Sequence, residues 1–159
     1  MGFFWMDAIT KEMTNVGISF TILDEGQKAP PGWTKASGHL VFDVKMDFTP
    51  KARRVKEGHR SPDPTTSDYA DVVSRKSVRM ELTYVALMDL DFMSAEIQNA
   101  YLQALSSEKY FIVCGSEFGL ENVSKVALIT RALYGGKVTG RDFWNHLRYC
   151  MDHLGLTSC

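Results

Sequence analysis

Apolar and polar residues alternate along residues 39–48, and this alternation limits the possible folds more than any other feature of the chain. A period of two is typical of a β-strand, because successive side chains of a strand point to opposite faces. The apolar face would consist of Leu40, Phe42, Val44, Met46 and Phe48. Thr49-Pro50 then ends the pattern, and residues 52–56 can return as a partner strand. The sequence therefore predicts a β-hairpin with one face on a core.

Further helices and strands are predicted on both sides of this hairpin. The helices are residues 5–16, a helix that Ser74 or Ser77 caps and that ends near Asp89, and residues 141–154. The middle helix is expected to bury one face, formed by Val78, Leu82, Val85 and Ala86. The strands are residues 18–22, 93–102, 111–114 and 125–129. Helices and strands occur in mixed order, so the predicted fold class is α+β.

The charge balance restricts how the chain could bind a polyanion. Its 159 residues include 18 Lys or Arg and 19 Asp or Glu, which gives a formal net charge of -1. The field of the whole molecule therefore does not attract nucleic acid, and any polyanion site must be local. A hydrophobic fraction of 45% suits a single globular domain of this length.

Cysteine usage and the apolar segments bear on the compartment. Cys114, Cys150 and Cys159 form no Cys-x-x-Cys pair, and an odd number of cysteines argues against a disulfide framework. The apolar start of the chain is too short for a signal peptide, and no later run reaches the length of a membrane span. We therefore expect reduced thiols and an intracellular protein of the cytoplasm or nucleus.

A basic cluster occupies the returning strand of the hairpin and the residues after it. Residues 51–60 contain five basic side chains and one acid, Glu57; the basic ones are Lys51, Arg53, Arg54, Lys56 and Arg60. Such a cluster can bind phosphate groups, and arginine is suited to bidentate contacts. A solvated strand face is the alternative interpretation. Residues 57–71 then form a predicted long surface loop.

Three other groups of residues are weaker candidates for chemistry. Glu96 is a single carboxylate, whereas phosphoryl transfer with two metal ions needs several converging oxygen ligands. His146, Cys150 and His153 lie near one face of the last helix and could hold zinc, but Cys150 also fits the apolar stripe of that helix. The glycine-rich residues 133–140 match no nucleotide-binding fingerprint and by themselves predict a turn.

Eight short motifs occur along the chain in the order seen in copia-type reverse transcriptases. They are Trp5-Met-Asp-Ala-Ile-Thr-Lys-Glu12, Phe42-Asp-Val-Lys45, Lys51-Ala-Arg53, Gly58-His59, Val72-Val-Ser74, Ser77-Val-Arg79, Ile97-Gln-Asn-Ala-Tyr-Leu102 and Arg131-Ala-Leu-Tyr-Gly135. The chain thus resembles this family of RNA-directed DNA polymerases of retrotransposons over nearly its whole length. The resemblance implies part of a right-hand polymerase fold, with fingers in residues 1–90 and the start of the palm in residues 91–159.

The resemblance also implies roles for individual residues. Lys51 and Arg53 resemble the fingers residues that close over the triphosphate of a deoxynucleotide, where fixed positive charge stabilises the transferred phosphoryl group. Asn99 and Ala100 would meet the triphosphate through their backbone, and Tyr101 would be the gate beneath the sugar. The remaining implied nucleotide or nucleic-acid contacts are Gly135, Arg54, Lys56, Arg60 and Lys137. The implied ligands are a template-primer of RNA or DNA and deoxynucleoside triphosphates.

Glu96 matches the first metal-binding aspartate of the family, whose intact members use two Mg²⁺ ions. The longer Glu side chain would displace the carboxylate from a tightly positioned metal site. The family's Gly-Leu-Lys-Gln-Ala-Pro-Arg run is replaced here by Gly135-Gly-Lys-Val-Thr-Gly-Arg141, and the chain ends before the family's paired aspartates. We therefore expect no polymerisation by this chain alone. The alternative is a non-catalytic module that binds nucleic acid or protein, with a protein partner or a second copy covering the incomplete palm.

Overall fold

The computed structural model describes residues 3–64, 67–70 and 72–156 and belongs to the α+β class, as predicted. Its helices are α1 (Phe3–Val16), α2 (Arg75–Leu87), α3 (Ala100–Gln103) and α4 (Thr139–His153). Its strands are β1 (Phe20–Ile22), β2 (Thr34–Lys35), β3 (Gly38–Val44), β4 (Pro50–Lys56), β5 (Leu105–Val113) and β6 (Val126–Arg131). Among the described residues, no helix is both long and apolar enough to cross a membrane.

Four strands form a mixed sheet in the order β1-β6-β5-β2. β6 pairs antiparallel with both of its neighbours, and the short β2 pairs parallel with β5. Strands from before and after residue 90 therefore share one sheet. Its buried side chains form the core with residues of α1 and α3; the cluster consists of Val16, Leu102, Tyr110, Ile112, Cys114, Ala127, Ile129 and Leu133.

β3 and β4 form the predicted hairpin as a separate two-stranded sheet. Its register pairs Gly38 with Lys56 and Val44 with Pro50. The strand predicted for residues 39–48 is too long, because the turn begins after Val44 and Phe48 adopts a positive φ of 62°. Met46 and Phe48 consequently lie in the turn and are exposed to solvent. Their apolar character extended the alternation beyond the real end of the strand.

The helix predicted after Ser74 is present, but its predicted buried face is wrong. Ser74 caps α2, since the backbone N–H of Ser77 donates to the Ser74 hydroxyl over 3.1 Å. No residue of α2 is buried, and Val78 and Leu82 are exposed. Helical periodicity alone indicates that a face is apolar, and it does not supply the surface that would cover this face.

The strand predicted for residues 93–102 is wrong. Residues 91–97 have no regular secondary structure, Asn99 takes the left-handed conformation with φ 50°, and α3 begins at Ala100. This turn of helix buries Leu102 completely. The strand of this region begins later, at Leu105, and the segment predicted as residues 111–114 is the end of β5. β6 and α4 lie within one or two residues of their predicted starts, and Gly155 has the positive φ expected after a helix end.

A candidate phosphate-binding cleft

β4 separates its basic side chains onto two sides because its residues alternate. Ala52, Arg54 and Lys56 are buried, whereas Arg53 is exposed and Lys51 is half-buried. The basic cluster of the sequence is therefore two different sets of cations. One set is committed to the interior of the protein, and the other is available to a ligand.

The inner set consists of Arg54 and Lys56, which the sequence assigned to nucleic-acid contacts, and in the structure it does not face solvent. Arg54 pairs with Glu117 over 3.4 Å, and Lys56 Nζ contacts Glu108 over 3.1 Å while lying 3.3 Å from the centroid of the Tyr110 ring. Burial lowers the pKa of both side chains, although each acidic partner opposes this shift. Direct contact with nucleic acid would require these ion pairs to break.

The outer set lines a cleft of about 640 Å³ between α1 and the β3–β4 hairpin. Lys51 and Arg53 lie in its wall, and Asn99 reaches the same cleft from the turn before α3. The structure thus brings together three residues that the sequence analysis assigned to a triphosphate, although Asn99 is far from the other two along the chain. Within the described residues, no carboxylate pairs with Lys51 or Arg53.

The cleft has an excess of positive charge. Four cationic and two acidic side chains line it: Lys11, Lys45, Lys51, Arg53, Asp7 and Glu12. Glu12 is held in place, because one of its carboxylate oxygens accepts the backbone N–H of Arg54 over 2.8 Å. The two acids therefore leave an excess of two positive charges for an anionic ligand.

Two aromatic residues of the cleft were missed by the sequence analysis. Phe4 lies at the cleft and is 61% exposed, and Tyr134 lines it from the turn after β6. Burial, and to a lesser extent the negative charge of Glu12, raises the pKa of the Tyr134 hydroxyl. The sequence held no local signal for either residue, because only tertiary packing brings α1 and this turn to the hairpin.

Three residues assigned to the nucleotide pocket lie beside the cleft rather than in its wall. Ala100 is half-buried at the start of α3, and Tyr101 packs edge-on against Tyr134 with ring centroids 5.5 Å apart. Gly135 has a φ of 83°, and a Cβ at this position would overlap the carbonyl oxygen of Lys56. The neighbouring Tyr134 carbonyl accepts the Lys56 N–H over 2.7 Å, so the turn is fastened to β4.

Arg60 and Lys137, the other predicted nucleic-acid contacts, differ in exposure. The Arg60 side chain is 70% exposed and contacts Glu57 over 3.1 Å. Lys137 Nζ donates to the Ser61 carbonyl and to Asp63, over 2.8 Å and 2.7 Å. Lys137 thus fixes the loop after β4 to the turn before α4, and its hydrogen bond, together with its charge, lowers the pKa of Asp63. Of these two residues, Arg60 is the one that solvent exposure leaves available to a ligand.

Glu96, the predicted metal-ligand position, lies apart from the cleft. Glu96 is exposed in the irregular segment before α3 and does not line the cleft. Across residues 3–64, 67–70 and 72–156, no three His, Cys, Asp or Glu side chains converge where they could hold a metal ion. On the last helix, His146 Nε2 lies 3.7 Å from Cys150 Sγ without a third ligand in the described chain.

No protein-family model matches the chain, and no curated protein or solved structure is significantly similar to it. The resemblance to copia-type reverse transcriptases thus stays a prediction from the eight motifs. The functional conclusion is therefore based on the geometry of the cleft.

Proposed function

We propose that the cleft between α1 and the β3–β4 hairpin binds the phosphate groups of a nucleotide, with a deoxynucleoside triphosphate as the preferred ligand. This proposal is based on the pair of cations on one side of β4. Lys51 and Arg53 line the cleft without a carboxylate partner in the described chain, whereas Arg54 and Lys56 on the other side have one each.

The spacing of the two cations suits a chain of phosphates. Residues two apart on a strand lie on the same face, about 6.6 Å from each other. Lys51 supplies a mobile ammonium and Arg53 a planar guanidinium that can contact two phosphate oxygens at once. Because neither side chain has a carboxylate partner in the described chain, a phosphate group displaces only water from them on binding.

The rest of the cleft can accommodate the nucleoside. A volume of about 640 Å³ lies in the range of small-molecule sites. Phe4 offers an exposed ring on which a base could stack, and Asn99 offers an amide for hydrogen bonds. Inorganic polyphosphate would use the cations alone, so a nucleotide should bind more tightly than tripolyphosphate.

The hairpin is held rigidly behind these residues. Arg54 and Lys56 tie β4 to Glu117 and Glu108, which lie beside and within the main sheet. A strand fixed on one side presents the side chains of its other side in a constant geometry, and a constant geometry lowers the entropic cost of binding. The buried cations therefore support the proposed site without contacting its ligand.

The family resemblance adds a proposal about origin and activity. We propose that the chain is the fingers and the start of the palm of a copia-type reverse transcriptase. Glu96 lies outside the cleft, and the described residues give it no companion ligand for a metal ion. We accordingly expect nucleotide binding without primer extension, and incorporation of deoxynucleotides into a primer by the purified chain would contradict this expectation.

Isothermal titration with dTTP tests the binding proposal. Lys51→Gln and Arg53→Gln should each weaken binding about 10- to 150-fold, because a charge-assisted hydrogen bond contributes about 1.5–3 kcal/mol. Lys28→Gln removes an equal charge from an exposed loop position and should leave the affinity unchanged. Circular dichroism must show that all variants are folded. Equal affinities for Lys51→Gln, Arg53→Gln and the unsubstituted chain would refute the proposal.

Titration with a single-stranded oligonucleotide in the same assay distinguishes the mononucleotide site from the second candidate function, a nucleic-acid-binding module. Such a module would bind the oligonucleotide more tightly than dTTP, and its affinity would fall steeply with salt as counterions are released. A mononucleotide site makes few phosphate contacts and should show a shallow salt dependence. A steep dependence that Arg60→Gln reduces would favour the module.

A further inference from the structure

α2 is a helix that nothing in the described chain covers, and it exposes apolar side chains on two opposite sides, with Met80, Tyr84 and Leu87 on one of them. It contains no buried residue, and the described helices and strands make no extensive contact with it. The other side carries Val78, Leu82, Val85 and Ala86, which follow each other at helical spacing. Leu82, in the middle of this stripe, is 42% exposed.

A helix of this length is not stable by itself in water. Isolated helices shorter than about 12–15 residues are marginal even with favourable sequences, and α2 has 13 residues. Its Ser74 cap satisfies one backbone donor, but capping does not replace a packed face. The stripe therefore needs a covering surface for the helix to persist.

The charges of α2 oppose its own dipole. Arg75, Lys76 and Arg79 lie in its N-terminal half, where the helix dipole already places positive charge. There is no acid in the first turn and no base in the last. Asp89 and Asp91 follow the C-terminal end, where negative charge is equally unfavourable. The unfavourable basic and acidic charges would be compensated if each end of α2 lay beside the opposite end of another such helix.

We propose that α2 pairs with α2 of a second copy of this chain, in an antiparallel arrangement around a twofold axis at Leu82. This arrangement places Leu82 against its own counterpart and Val78 against Ala86 of the second copy. It also places Arg75 beside Asp89 of the second copy, twice by symmetry. Arg75 and Asp89, two of the charges that oppose the helix dipole, then compensate each other, and the two dipoles run in opposite directions.

The segments that flank α2 also expose apolar side chains. Val72 and Val73 before the helix are exposed, and so are Leu90 and Phe92 after it. An antiparallel pair brings the flank before one helix to the flank after the other. The interface would therefore be longer than the helix, which itself spans about 20 Å.

Sedimentation equilibrium of the purified chain tests this proposal, over about 1 to 100 µM so that mass action can be followed. The unsubstituted chain should form a dimer. Arg75→Asp and Asp89→Arg should each weaken dimerisation at least about tenfold, through like charges at two symmetric positions. The double variant Arg75→Asp/Asp89→Arg should restore it, because the exchanged charges again face each other across the axis.

Two further variants distinguish this interface from general stickiness. Leu82→Asp places two carboxylates on the twofold axis and should abolish the dimer. Lys28→Asp reverses an exposed charge that is distant from α2 in the sequence, and it should have no effect. Circular dichroism at a concentration where all variants are monomeric shows whether each one folds.

Several results would overturn the proposal. One is a chain that stays monomeric at every concentration. Such a monomer could still have α2 amides that are protected from hydrogen exchange, or it could bind anionic vesicles through Leu82, and either result would mean that something other than a second copy covers α2. Others are a dimer that ignores both charge reversals and a double variant that stays monomeric.

Discussion

At the scale of single residues, adjacent basic side chains of β4 have opposite roles. Arg53 is exposed at the cleft, while its neighbour Arg54 is buried against Glu117. The difference follows from the strand period, because neighbouring side chains point to opposite faces. The same rule separates Lys51 from Lys56. A cluster of charged residues on a strand is therefore interpreted correctly only after its odd-numbered and even-numbered residues are assigned to the two faces.

The Lys56–Glu108 pair allows a direct test of the buried role. Glu108→Gln should lower the free energy of unfolding by roughly 3 kcal/mol, because it leaves a buried ammonium without its counter-charge. Lys56→Met/Glu108→Leu removes both charges and should recover most of that loss. Urea denaturation measures both, with Glu25→Gln on an exposed loop as the control. A Glu108→Gln variant as stable as the control would mean that Lys56 is solvated.

At the scale of elements, the hairpin is closed at its base by a polar network around Glu57. The Ser37 hydroxyl donates to Glu57 over 2.6 Å, and His39 and Arg60 contact the same carboxylate over 3.1 Å each. The Ser37 hydrogen bond is the main cause that lowers the pKa of Glu57 below its ordinary value of 4.5, with His39 and Arg60 contributing. The network joins the start of β3 to the end of β4.

The network should make the hairpin sensitive to acid. A depressed carboxyl pKa contributes stability that is complete above the ordinary value and is lost as the pH falls through the lower folded value. Glu57→Gln should therefore lower the melting temperature near neutral pH, and its difference from the unsubstituted chain should shrink below about pH 4.5. Thermal unfolding at a series of pH values measures this. A difference that stays constant down to pH 3 would contradict the assignment.

Elements also show how far the sequence could predict this fold. Local periodicity is sufficient to predict α1, the hairpin, β6 and α4. The predicted residues 5–16 and 125–129 agree with α1 and β6 within a few positions. Residues 93–102 were not predicted correctly, because the left-handed Asn99 and the single turn of α3 are set by tertiary packing, which buries Leu102 in the core. The helical period predicted α2 itself and could not show that its apolar stripe is exposed.

At the scale of the whole molecule, the candidate site is assembled from four separate parts of the chain. α1 contributes Phe4, the hairpin contributes Lys51 and Arg53, and the segments at Asn99 and Tyr134 close the cleft. The motifs predicted Lys51, Arg53 and Asn99 together through the family resemblance. Phe4 and Tyr134 could not be predicted, since their contribution depends on how α1 and the turn after β6 pack on the hairpin.

Protection of lysines by bound dTTP would show where the nucleotide lies on the protein. The chain is acetylated with and without saturating dTTP, and the rate at each lysine is measured by mass spectrometry. Bound dTTP should slow acetylation of Lys51 and Lys45, which line the cleft, and leave the exposed Lys28 and Lys35 unchanged. No protection of Lys51, or equal protection of all four lysines, would contradict a phosphate site in this cleft.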